Sequence, residues 1–158
     1  MTQKFFPNRL ALITLLAACA VILVSMGLRQ TFGLFFSAFE ENLNCTRTEF
    51  GLAIGIQMLF WGFFAPIFGL LADKFGGNKA VFLGFLIFAI GIFMLYSGPN
   101  TGIYFQLALG VLVGTALGAT AIGVPVSEVG KHFPNETRTI ATGIVTAAAS
   151  IGYFLSPL

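Results

Sequence analysis

In "GLLADKFGGNKAVFLG", residues 69 to 84, an otherwise apolar chain is interrupted by charge and glycine. Asp73, Lys74 and Lys79 are gathered around Gly76 and Gly77, and on both sides the chain turns at once to Leu, Phe, Ile, Val and Ala. A charged break carrying glycine between two apolar runs is a turn. Leftwards the apolar run reaches back to Thr48, and rightwards it continues to Tyr96. Each run approaches the roughly 20 residues that cross a bilayer core as a helix. A backbone in hydrocarbon must satisfy its own hydrogen bonds, and within one segment only a helix does so. The stretch is therefore read as the polar end of a helical hairpin in a membrane.

The whole composition agrees. The chain is 57% hydrophobic and only 9% charged, with a mean hydropathy of +0.93, where an ordinary soluble domain is about 25% charged. Nineteen Phe and 19 Gly suit lipid-facing bulk and close helix contact respectively. A net charge of +2 with no basic cluster gives no reason to expect a nucleic-acid partner. Cys19 lies in an apolar run and Cys45 in a loop, so neither a disulfide framework nor a metal pair is indicated, and nothing calls for a cofactor. Polar punctuation divides the chain into five spans, at approximately 10–38, 48–71, 79–96, 102–126 and 139–158. The first follows Lys4 and Arg9 but runs on past Gly27 without a cleavage site, so it is read as a span rather than a signal peptide. "TRTE" at 46–49 is a capping box that opens the second. "SGPNTG" at 97–102 and "HFPNET" at 132–137 mark the later turns. Such short connections predict one all-α bundle embedded in the lipid bilayer. With the N-terminus cytoplasmic, Lys4, Arg9, Lys74, Lys79, Lys131 and Arg138 lie inside and only Arg47 outside, the bias expected of a multi-pass protein of a plasma or inner membrane.

Residues 69–84 also carry a resemblance. They are similar to the signature between the second and third helices of the major facilitator superfamily, roughly G-x-L-x-D-[RK]-x-G-x-[RK]-[RK]. Gly69, Leu71, Asp73, Lys74, Gly76 and Lys79 stand at matching positions, and Asn78 stands where a base is usual. Residues 29–69 resemble the first two helices of facilitators related to oxalate/formate and monocarboxylate carriers, and the stretch from "TRTIATG" to "SPL" resembles their fifth. The resemblance implies an N-terminal part of such a carrier, helices one to five, forming most of one six-helix half. The missing C-terminal half is then a partner, with the substrate site between the halves near the midplane. It implies that Gly69, Asp73, Lys74, Gly76 and Lys79 take part in switching between access states. In mechanical terms Gly69 admits a neighbouring helix and Gly76 a tight turn. Asp73, an acid at a helix C-terminus, is unfavourable to its own helix and should serve another partner.

Arg29 is the one permanent cation deep in an apolar run. It lies about nine residues before the outer end of the first span, and Gln57 about nine after the start of the second. Both are then roughly 13 Å below the outer surface. A charge there should face protein or a water-filled cavity. No Asp or Glu lies at that depth. Arginine's planar fork of donors matches a carboxylate in two bonds. Arg29, assisted by Gln30 or Gln57, is accordingly the candidate anchor for a small anionic substrate; pairing within the protein and snorkelling outward are the other readings. In the fourth span Gly110, Gly114 and Gly118 repeat every four residues, a ridge for helix packing. No deep Ser/His, paired carboxylate or metal set is present, so no catalytic or metal residue is named and an enzyme is not expected. The sequence is thus read as part of a secondary transporter working by alternating access, on a small organic anion such as a mono- or dicarboxylate. The competing reading is a five-helix membrane scaffold or assembly subunit, which leaves Arg29 and Asp73 without a purpose.

Overall fold

Thr46 and Glu49 set where the second span begins. The Thr46 hydroxyl accepts from the Glu49 backbone N–H at 3.2 Å, and the Glu49 carboxylate accepts from the Thr46 N–H at 2.9 Å. The structure, a computed structural model, describes residues 8–34, 36–43, 46–99 and 101–155. Among these every regular element is helical, and five helices are long and apolar enough to cross a membrane. They are Arg9–Leu34, Arg47–Phe75, Gly77–Ser97, Gly102–His132 and Asn135–Leu155, here the first to fifth spans. A short helix, Phe36–Leu43, lies between the first and second.

The second span runs well past its apolar block, through Pro66, and stops only at Gly76. Gly76 has φ +94°, a conformation that disfavours any residue with a Cβ, and its N–H closes the helix on the Ala72 carbonyl at 2.9 Å. The third span starts on the next residue. Asp73, Lys74 and Lys79 are thus helical, and the expected seven-residue break contracts to one glycine. Helix is retained because exposed charges at a helix end reach water without leaving the spiral.

The fourth span is segmented, and of this the apolar run at 102–126 announces only the bend that Pro125 marks. After Gly102–Phe105 it widens into a π-helix over Gln106–Leu112, returns to α-helix over Val113–Thr120, breaks at Ala121, and resumes over Gly123–His132. Pro125 explains the break. It has no N–H for the carbonyl four residues back, which belongs to Ala121, and its ring would collide there; Ala121 accordingly swings to ψ −165°.

Two groups of helices result. The fourth span lies against the second and third, burying Ala53, Phe88, Leu109, Val113 and Leu117 in one cluster and Phe68, Ala72, Ala80, Ala119 and Val124 in another. The first span packs on the fifth through Ala11, Leu15, Ala18, Ile22 and Met26 against Ala141, Val145 and Ala149. Trp61 touches both groups. Lipid is as apolar as these side chains, so close van der Waals fit must hold the helices together. Gly114 shows how close: a Cβ there would come 2.7 Å from the Gln57 carbonyl oxygen.

Candidate functional site

Arg29 projects from the first span toward the second and fifth. Its Nη1 donates to the Tyr153 hydroxyl at 3.4 Å, its Nη2 to Met58 Sδ at 3.5 Å, and its guanidinium carbon lies 5.2 Å from the Trp61 ring centroid. Its Nε is buried with no hydrogen-bond partner among the described residues. Among the described residues no carboxylate pairs with it, and the ion pairs there join Lys131 to Asp73 and to Glu128. The charge is therefore held by a phenol, a thioether and an indole face, all neutral. Cation–π contact holds a cation without neutralising it. An uncompensated guanidinium in an apolar span is chemically suited to an incoming anion.

The other predicted residues lie differently. Gln30 is exposed on the neighbouring face of the first span. Gln57 is fully buried and turned toward the fourth span, where its Nε2 donates to the Leu109 carbonyl at 3.3 Å and its Oε1 has no partner among the described residues. Leu109 is in the π-helical stretch, so Gln57 serves a carbonyl displaced from regular α geometry. Ser25, one turn before Arg29, is likewise buried with its hydroxyl unpartnered among the described residues. Gly110, Gly114 and Gly118 all abut the second span, against Ala53 and Ile56, Gln57 and Phe60, and Phe64 and Ala65. At Gly69, by contrast, a Cβ would meet nothing within 4 Å.

At the far end of the bundle Asp73 Oδ1 lies 3.0 Å from Lys131 Nζ, which also reaches Glu128 Oε2 at 3.0 Å. The acid at the end of the second span thus meets a base in the last turn of the fourth. Lys74 and Lys79 are exposed, with the Lys74 ammonium 5.2 Å from the Phe75 ring centroid. Arg138 Nε donates to the Gly130 carbonyl at 2.7 Å, tying the fifth span to the same end. Thr142 and Thr146 bond carbonyls of their own helix. The sequence reading missed Met58 and Tyr153 as neighbours of Arg29. Tyr153 is 124 residues away, and no local pattern encodes that contact.

The family model of the Major Facilitator Superfamily matches residues 14–158. The chain belongs to the Major Facilitator Superfamily. Members of this superfamily are transporters rather than enzymes, and the apolar helices make this member a multi-pass membrane protein. It is similar to an "MFS-type transporter" of Aspergillus fumigatus, 29% identical over 146 residues, or 90% of this chain and 32% of the relative. It is 26% identical over 136 residues to the "Probable nitrate transporter" of Staphylococcus haemolyticus, 85% of this chain and 34% of that one. With the "Riboflavin transporter" of Clostridioides difficile it shares 32% over 117 residues, 70% and 22% of the two chains. The facilitator chain described here thus spans about a third or less of the length of these curated relatives. No solved structure matches.

Proposed function

We propose that this chain forms the anion-binding wall of a secondary carrier for small organic anions, acting by alternating access with a facing C-terminal half. The observation that carries this reading is Arg29, a permanent cation in an apolar span whose described neighbours are all uncharged. A structural arginine in hydrocarbon is expected to hold a carboxylate or backbone carbonyls, because an isolated charge there is strongly disfavoured. An anion arriving from a water-filled cavity supplies that compensation on each transport cycle. The similarity to a nitrate transporter supports an anionic substrate, and the length of the relatives supports a second half. In this reading the N-terminus and the Asp73 end are cytoplasmic, in a plasma or inner membrane.

The test is substitution of Arg29 in the full-length carrier. Arg29→Lys keeps the charge but replaces a two-pronged donor with a point charge, so most uptake is lost. Arg29→Gln loses nearly all of it, since removing one partner of a desolvated charged contact costs about 2 to 5 kcal/mol. Substrate affinity per folded molecule is the deciding measurement. Wild-type affinity in Arg29→Gln removes Arg29 from the site, and full uptake in Arg29→Lys makes it a snorkelling side chain.

A further inference from the structure

Tyr153 stands half-buried on the fifth span, directly under the guanidinium of Arg29. What brings it there is a close approach of two backbones. A Cβ on Gly152 would come 2.6 Å from the Leu23 carbonyl oxygen, and one on Gly27 would come 3.5 Å from the Gly152 carbonyl oxygen. The first and fifth spans therefore touch main chain to main chain one residue before Tyr153, and its ring follows the first span up to Arg29. Its hydroxyl accepts from Arg29 and donates to Met26 Sδ at 3.0 Å.

Among the described residues, the groups at this place are rich in donors and poor in acceptors. Arg29 offers Nε, Nη1 and Nη2, and Tyr153 adds its O–H. Their acceptors are two thioether sulfurs and one phenol oxygen, with Nε unpartnered among the described residues. A thioether is a weak acceptor. The Arg29 to Tyr153 bond, at 3.4 Å, is longer than the 2.7–3.2 Å typical of N–H···O bonds. These resting bonds are weak enough for a charged oxygen to replace. The geometry points to Tyr153 as the second donor of the Arg29 site: a bound oxyanion draws the phenolic hydrogen bond away from Met26 while accepting from the guanidinium. This inference rests on Arg29 being the anion anchor and adds to it a residue from another span. Substrate would then bridge the first and fifth spans, with the second span's Trp61 behind the guanidinium.

Trp61 is the chain's single tryptophan and reports on its own neighbour. The full-length carrier, with any tryptophan outside these 158 residues replaced by Phe, is reconstituted in lipid nanodiscs and titrated with sodium formate at constant ionic strength while Trp61 fluorescence is followed. Wild type is expected to give a saturable change and Arg29→Gln none. Tyr153→Phe, which deletes one hydrogen bond to a charged ligand, is expected to weaken formate by roughly tenfold or more. Met26→Leu keeps the hydroxyl but removes its resting acceptor, and is expected to tighten formate a few-fold. Unchanged affinity in Tyr153→Phe overturns Tyr153 as a donor while leaving the Arg29 anchor in place. If Tyr153→Phe does not fold, Met26→Leu decides, and unchanged or weaker binding there overturns the exchange. Absence of any saturable response in wild type also overturns it; the uptake and affinity of the Arg29 variants then judge the anchor separately.

Discussion

Gln57 stands next to Met58 of the Arg29 site in sequence, yet it looks away from that site. Met58 and Trp61 touch Arg29, while Gln57 points into the fourth span and bonds the Leu109 carbonyl. Counting rise along two antiparallel helices predicts their common height; which way a side chain turns about its helix depends on what the neighbours bury. Side chains advance about 100° per residue, so adjacent positions 57 and 58 serve different neighbours. The role of Gln57 is then to supply a donor inside a helix contact. Gln57→Leu is expected to lower stability by about 1 kcal/mol, because it strands a buried carbonyl, and to leave the formate response of Arg29 intact. Thermal unfolding and the Trp61 titration measure the two effects; the opposite pattern, normal stability with lost binding, returns Gln57 to the substrate site.

The glycines of the fourth span make an element-level contrast with Gly69. At Gly114 an added Cβ would lie 2.7 Å from the Gln57 carbonyl oxygen and 2.9 Å from its Cα, backbone atoms that cannot rotate aside. Gly114→Ala must therefore push the second and fourth spans apart, with a loss of about 1–3 kcal/mol. Gly69→Ala meets nothing within 4 Å and is expected to change stability by less than about 0.5 kcal/mol. Melting temperatures of the two variants in one detergent check the pair, and equal shifts refute the contrast. The helices themselves were legible because lipid allows few alternatives: an apolar run of bilayer length, closed by Gly76 or opened by Thr46 and Glu49, can only be a helix. Segmentation of the fourth span was less so. Pro125 carried a signal for the break at Ala121, but nothing in "QLALGVL" distinguishes a π-helix from an α-helix. What accompanies it in the structure is the packed second span and the Gln57 donor on the Leu109 carbonyl, both remote in sequence. Arg29 was conspicuous for the same reason the helices were, as a charge against an apolar background, whereas Tyr153 and Met58 are ordinary residues in their own helices.

At the scale of the molecule, the bundle offers one wall of the proposed cavity, and alternating access needs a second. The 158-residue chain reconstituted alone in liposomes is therefore expected to give only background flux; saturable uptake by it would refute the two-half reading. The Asp73–Lys131 pair ties the end of the second span to the end of the fourth, but both side chains are well exposed, at 64% and 40%. Such a pair contributes about 0 to 1 kcal/mol. Asp73→Asn is thus expected to leave folding nearly unchanged and, in the full-length carrier, to alter the balance of access states more than substrate affinity. Accessibility of a cysteine placed near Asp73, measured beside affinity, separates the two; lost affinity with unchanged accessibility goes against this assignment. The pairing of the first span with the fifth also bears on how the protein is made. Spans two, three and four find each other among near neighbours in the chain, but Arg29 and Tyr153 are 124 residues apart. At about 5–20 residues per second of synthesis, the first span waits on the order of ten seconds for its partner. During that interval Ile22, Met26 and the cation beside them have lipid, the translocation machinery or the spans already made for company, so the docking of the first span on the fifth comes late in assembly.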